Sequence, residues 1–146
     1  MDKFIDFHAL ISDLIQLNKT NRNLARLDMM HPFEYAKEFC TVKIDIGRQT
    51  GKTEYIRLNA DEDDLIIAYS HRYKKDLMSN FKTKDSNKIY NIKAWEDLKY
   101  LERRYRNFYI DESTIFKIDV YDNWPEMYRR LVDQDNVFNQ TFIFLG

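Results

Sequence analysis

One stretch constrains this chain more than any other: Ile44-Asp45-Ile46-Gly47-Arg48-Gln49-Thr50-Gly51-Lys52-Thr53. A short apolar run enters a loop that carries two glycines and closes on Lys-Thr. The chain holds only three glycines in 146 residues, and two of them, Gly47 and Gly51, fall here. Glycine lets the backbone turn through positive φ and bring its N–H groups close to an anion. A helix that starts near Lys52 adds the positive end of its dipole. Strand, glycine loop and Gly-Lys-Thr in this order have the layout of a phosphate-binding loop. In such a loop Lys52 reaches the outer phosphates and the Thr53 hydroxyl sits on Mg²⁺. The spacing is Gly-x-x-x-Gly-Lys-Thr. The common pattern, Gly-x-x-x-x-Gly-Lys-Ser/Thr, wants its first glycine where this chain has Ile46. For the loop taken alone, an ordinary glycine turn is the competing reading.

A second stretch favours the phosphate reading. Phe108-Tyr109-Ile110-Asp111-Glu112 is an apolar run that ends in two carboxylates. It has the character of a buried parallel strand with acids at its C-terminal end. Ligands bind at that end in open α/β sheets. There Asp111 would hold the shell of a Mg²⁺ ion, and Glu112 would polarise an attacking water as general base. Acids after a strand also serve as turn residues or helix caps.

Together the two stretches resemble the Walker A and Walker B motifs of the large terminases of tailed phages, the ATPases that drive DNA packaging. Their Walker A loops often read Ser or Gly, Arg, Gln, any residue, Gly, Lys, Ser or Thr. Gly47-Arg48-Gln49-Thr50-Gly51-Lys52-Thr53 is similar to that pattern, and Tyr109-Ile110-Asp111-Glu112 is similar to Walker B. The resemblance implies that residues 47 to 53 hold a nucleotide, with Mg²⁺ on Thr53 and Asp111. Arg48 would act in cis on the γ-phosphate, and Glu112 would be catalytic. It also implies a three-layer α/β fold of the P-loop NTPase kind, its mainly parallel sheet flanked by helices. In the additional-strand class, a late strand slots between the Walker A and Walker B strands, giving the order 1-4-3-2. The resemblance covers about residues 40 to 115. A large terminase is several times longer, with a coupling motif and a nuclease domain, so it bears on the ATPase core only. The usual fifth strand and the polar sensor residue are not found in the sequence.

The length suits one domain, with residues 1–39 as a helical segment and 40–146 as the nucleotide-binding core. A chain of this size buries roughly 70% of its unfolded surface. Hydrophobic residues make up 44% and charged residues 32%, an ordinary soluble balance. The formal net charge is −1, so no global basic field favours nucleic acid. The single cysteine, Cys40, excludes an internal disulfide and a Cys-rich zinc site. His8, His31 and His71 have no metal-ligand spacing. No apolar run reaches the length of a membrane span, and the N-terminus does not read as a signal peptide. A reduced, cytoplasmic setting is the expectation, that of the host if the chain is phage-encoded.

Taken in order, Phe4, Phe7, Leu10, Ile11, Leu14, Ile15 and Leu17 follow helical spacing, with Asp2 as N-cap. Asn18 to Asn23 reads as a polar break. Leu24, Leu27 and Met30 suggest a second short helix that His31-Pro32 ends. A third spans Phe33 to Phe39, with Pro32 in its first turn. These helices are expected to pack on the sheet; the sharper alternative has Phe33 or Tyr35 stacking on adenine. Thr41 to Ile46 is the first strand and residues 52–60 a short helix. Asp61 to Asp64 reads as a solvated loop, with a cation site as alternative. Leu65 to Tyr69 is a second strand, with Ser70-His71 after it, where His71 starts a helix or touches a ligand or DNA. Residues 72–82 read as helix, Ile89 to Ile92 as an edge strand and Glu96 to Arg106 as helix. Pro125 opens a helix through Met127, Tyr128, Leu131 and Val132, and Thr141 to Leu145 is the last strand.

Lys74, Lys75, Arg103, Arg104 and Arg106 form the best local basic surface for DNA, although basic residues at a helix C-terminus also serve the dipole. The leading expectation is a compact Mg-dependent ATPase acting in DNA metabolism or packaging, with ATP and Mg²⁺ as its ligands. Another phage protein is an expected partner, and a membrane is not. Two alternatives stay open. One is a nucleotide-binding regulatory or assembly protein with weak or no hydrolysis. The other is a small nucleoside kinase, although thymidine kinases usually carry a zinc element that one cysteine cannot supply.

Overall fold

A computed structural model describes residues 7–45, 52–60, 63–68, 89–91, 105–111 and 124–146. Among them are α1 (Phe7–Thr20), α2 (Leu24–Leu27), α3 (Pro32–Phe39), β1 (Thr41–Ile44), α4 (Lys52–Asn59), β2 (Asp64–Ala68), β3 (Ile89–Asn91), β4 (Asn107–Asp111), α5 (Trp124–Leu131), a 3-10 turn (Val137–Asn139) and β5 (Thr141–Leu145). The strands form one sheet in the order β1-β5-β4-β2-β3, and every pairing is parallel.

Counted without the edge strand β3, this is the order 1-4-3-2 expected above, with the last strand inserted between the first and the one that ends in Asp111. The sequence reads well here for a physical reason. Parallel strands are covered on both faces, so they appear as unbroken apolar runs bounded by polar residues. β5, Thr-Phe-Ile-Phe-Leu, is buried at all five positions.

Helices cover both faces. Val42 and Ile44 of β1, Ile143 and Leu145 of β5, Tyr109 of β4 and Ile66 of β2 share a core with Ile11 and Ile15 of α1 and Tyr55 and Ile56 of α4. The alternate positions Phe142, Phe144, Phe108, Ile110, Leu65 and Ile67 pack with Tyr35 and Ala36 of α3 and Tyr128 and Leu131 of α5. Phe108 and Phe142 stack nearly parallel, with ring centroids 4.6 Å apart, and Tyr128 meets Phe142 edge-on at 5.0 Å. The two described crossovers share one hand. β1 to β2 steps one way across the sheet with α4 on one face. β4 to β5 steps the other way with α5 on the opposite face. Parallel crossovers keep one hand because twisted strands and helices pack back in only that sense.

The N-terminal helices pack as expected, with corrections. α1 runs through Asn18, Lys19 and Thr20, so the polar break begins only at Asn21. Asn18 stays helical because its amide reaches across to the carbonyl of Phe39, 3.0 Å away. Asn23 caps α2 by accepting from Ala25, and His31 caps α3 through Nδ1, with Pro32 in the first turn. Tyr35 is fully buried and its hydroxyl donates to the Asn23 carbonyl, which removes it as a stacking surface for adenine. Phe33 packs against the same core cluster. Asp64 is also corrected. It is not loop but the first residue of β2, 2% exposed, and its Oδ1 accepts from the Asn107 amide at 2.8 Å. Tyr105 and Arg106 do not end a helix; they lead into β4. The expected segments 72–82 and 96–104, and Ser70-His71, lie outside the described residues. No described helix is long and apolar enough to cross a membrane.

Candidate functional site

In a parallel sheet all strands deliver their C-termini to one edge, and here that edge receives Ile44 of β1 and Asp111 of β4. β1 ends at Ile44 and α4 begins at Lys52, so the glycine loop spans strand end and helix start. β4 ends at Asp111. The register fixes how these ends relate. Ile44 pairs with Leu145, and Leu145 pairs with Asp111. The last residue of β1 and the acid of β4 therefore stand in one row, two strand spacings apart, roughly 10 Å. The row is locked beyond the strand ends, since the Gly146 N–H donates to the Ile44 carbonyl at 2.8 Å.

The start of α4 is held just as firmly. Tyr55, two residues past Thr53, is 4% exposed, and Ile56 is fully buried. The Tyr55 hydroxyl shares a 3.0 Å hydrogen bond with Ser12 of α1, and its ring meets His8 and Tyr109 edge-on. One aromatic residue thus ties the first turn of the helix to α1 and to the strand that carries Asp111. Glu54 is exposed beside it. The expected short helix over residues 52–60 does not single out Tyr55. Its clamping role depends on Ser12, 43 positions away, and no local signal carries that.

Lys52 and Thr53 thus open α4, and Asp111 closes β4 on the same sheet edge. Gly47, Arg48, Gln49, Thr50, Gly51 and Glu112 lie outside the described residues, as do Lys74, Lys75, Arg103 and Arg104 of the basic patch. Arg106, the described member of that patch, stands at the N-terminal end of β4, the far end of the strand from Asp111. That separates it from the edge where Ile44 and Asp111 stand.

Among the described residues, no group of three or more His, Cys, Asp or Glu gathers to hold a metal ion.

Compared with protein-family models, with curated proteins and with solved structures, the chain matches none.

Proposed function

We propose that this chain binds Mg-ATP at the C-terminal edge of its sheet and hydrolyses it. The observation that carries the reading is the row Ile44–Leu145–Asp111. It sets the end of the strand that leads into the Gly-x-x-x-Gly-Lys-Thr sequence and a strand-end acid in one row, with a further strand between them. Nucleotide phosphates need such an arrangement, with backbone N–H groups and a helix start on one side and a metal-holding acid on the other. The fold, a parallel sheet with helices on both faces, supports the terminase-like reading of the site as far as topology goes.

In this reading, backbone N–H groups of residues 47 to 51 and the Lys52 ammonium hold the β and γ phosphates. Thr53 and Asp111 hold the Mg²⁺ ion, which when bound offsets charge on the phosphate oxygens. Glu112 accepts a hydrogen bond from the attacking water and orients it toward the γ-phosphorus. The water oxygen bonds to phosphorus as its proton passes to Glu112, the bond to the β–γ bridging oxygen breaks with its electron pair on ADP, and ADP and inorganic phosphate leave as Glu112 returns the proton to solvent. Arg48 meets the negative charge that builds on the γ-phosphoryl oxygens. Catalysis is positioning and charge stabilisation. A role in DNA metabolism or packaging follows only from the resemblance.

The test is phosphate release from Mg-ATP, with and without double-stranded DNA. Lys52→Ala is expected to abolish tight nucleotide binding. Glu112→Gln is expected to keep binding and slow release by about 10² or more, the usual worth of a positioned base. Normal turnover in Glu112→Gln would sink the assignment. Binding without release in the unaltered protein selects the regulatory reading, and transfer of phosphate to a nucleoside selects the kinase.

A further inference from the structure

The opposite end of the sheet carries a second polar cleft. It measures about 580 Å³ and is lined by Lys19, Arg22, Arg106, Asn136, Phe138 and Asn139. These residues come from the end of α1, the segment after it, the entry to β4 and the 3-10 turn before β5. Three of the six are cationic and none is acidic, in a chain whose net charge is −1.

Arg22 is held by four hydrogen bonds from its guanidinium. It is half-buried, and every described partner of its guanidinium is neutral. Nε and Nη2 donate to Asn18 Oδ1 at 3.3 and 3.0 Å, Nη2 also to Thr141 Oγ1 at 2.7 Å, and Nη1 to the Phe138 carbonyl at 2.6 Å. These bonds fix the fork and take four of its five N–H donors. One Nη1 donor and the whole charge remain, and burial without a carboxylate disfavours the charged form. A cation that is oriented but not neutralised in this way is prepared for an external anion.

Arg106 adds a second. Its backbone is fixed on both sides, the N–H on the Asp63 carbonyl and the C=O on the Thr141 N–H, each at 2.7 Å. Its side chain is exposed and makes no hydrogen bond or ion pair with the described residues. Lys19 supplies a third positive charge at the rim. On the other wall, Asn139 Nδ2 donates to Asn136 Oδ1 at 2.6 Å. That leaves the Asn136 amide N–H groups able to donate to a ligand. Phe138 is partly exposed and gives the cleft one apolar surface. Two guanidiniums match a phosphate, which carries up to two charges and several acceptor oxygens, better than a single carboxylate. The volume lies in the range of sites for small organic ligands, so it has room for more than a bare ion.

We propose that this cleft is a phosphate-ester site, in which Arg22 and Arg106 take the phosphate and Phe138 and Asn136 take the group attached to it. A free nucleotide and a strand of nucleic acid both present that chemistry. The site is separate from the glycine loop and does not depend on what that loop does.

The experiment uses the full chain with Lys52→Ala, so that binding at the loop is suppressed. Fluorescence anisotropy is read with a labelled mononucleotide and with a labelled single-stranded oligonucleotide, between about 50 and 200 mM salt. At least one probe is expected to bind. Adding Arg106→Glu is expected to weaken binding tenfold or more. Adding Arg106→Ala is expected to reduce the slope of log K against log salt in the oligonucleotide arm by about 0.7, one phosphate contact on a single strand. Tighter binding of the oligonucleotide identifies a strand as the source, and equal binding identifies the free nucleotide. Arg106 is exposed, so both variants should keep the melting temperature of their parent. The proposal is overturned if neither probe binds the Lys52→Ala protein, or if both Arg106 variants bind as tightly as their parent.

Discussion

Cys40 shows how much a single residue reports. It sits fully buried where α3 hands over to β1, its N–H on the Ala36 carbonyl and its own carbonyl accepting from Phe142 of β5. Burial pushes the thiol up to about 11, against a smaller opposing pull from the Arg22 charge. Tyr128 is pushed up to about 12 by burial, with its Thr41 hydrogen bond acting the other way. Both groups hold their protons more tightly folded than unfolded. Their contribution is therefore complete below about pH 9 and is lost as pH rises through 11 and 12. For Cys40, a rise from 9.0 to about 11 corresponds to roughly 2 to 3 kcal/mol. The expected outcome is that the melting temperature falls between pH 9 and 11, and that Cys40→Ala falls less steeply over that window. Parallel curves for the two proteins would remove Cys40 as the cause. At pH 8, labelling by a thiol reagent should occur only as fast as the chain opens, since the thiol is both buried and protonated.

Elements are joined here by a few buried polar side chains. Gln140 precedes β5 and is 1% exposed. Its Oε1 accepts from the Asp133 N–H at 2.8 Å, and its Nε2 donates to the carbonyls of Tyr105 and Leu131, both at 3.1 Å. One amide thereby closes the end of α5, the entry to β4 and the entry to β5. Gln140→Ala strands three backbone groups in the interior, so it should cost about 3 kcal/mol by urea unfolding. A loss below about 1 kcal/mol would mean that water replaces the amide. This joint also marks the limit of sequence reading. Elements made of continuous apolar runs, such as Phe108 to Ile110 and Phe142 to Leu145, declare themselves because both faces of a parallel strand are buried. Gln140, Arg22 and Asn18 look like surface polar residues, because their partners lie in other elements. The same holds for the candidate site. Gly47, Gly51, Lys52 and Asp111 stand out by type and spacing. Tyr55, which anchors the helix that Lys52 opens, does not, and neither does the cleft around Arg22, whose walls converge from four segments.

At the scale of the whole molecule, the order β1-β5-β4-β2-β3 has a mechanical consequence. β1 has β5 as its strand partner among the described residues, and β5 is also the link between β1 and the row that carries Asp111. The strand latest in sequence is thus the one that joins the loop-bearing strand to the rest of the sheet. Its side chains contribute to both cores, with Phe142 and Phe144 on one face and Ile143 and Leu145 on the other. Removing a buried Phe alone typically costs 3 to 5 kcal/mol, and domains hold only about 5 to 15 in total. A fragment of residues 1–140 should therefore lack a cooperative thermal transition and the near-ultraviolet circular dichroism of a packed aromatic core. The same reasoning separates folding from the proposed nucleotide binding. Lys52→Ala leaves β5 in place and should melt within a few degrees of the unaltered chain while losing the nucleotide affinity proposed for the loop. If the 1–140 fragment instead unfolds cooperatively near the full-length midpoint, β1 must be held through its helices. The row Ile44–Leu145–Asp111 would then no longer explain how the two motifs share an edge.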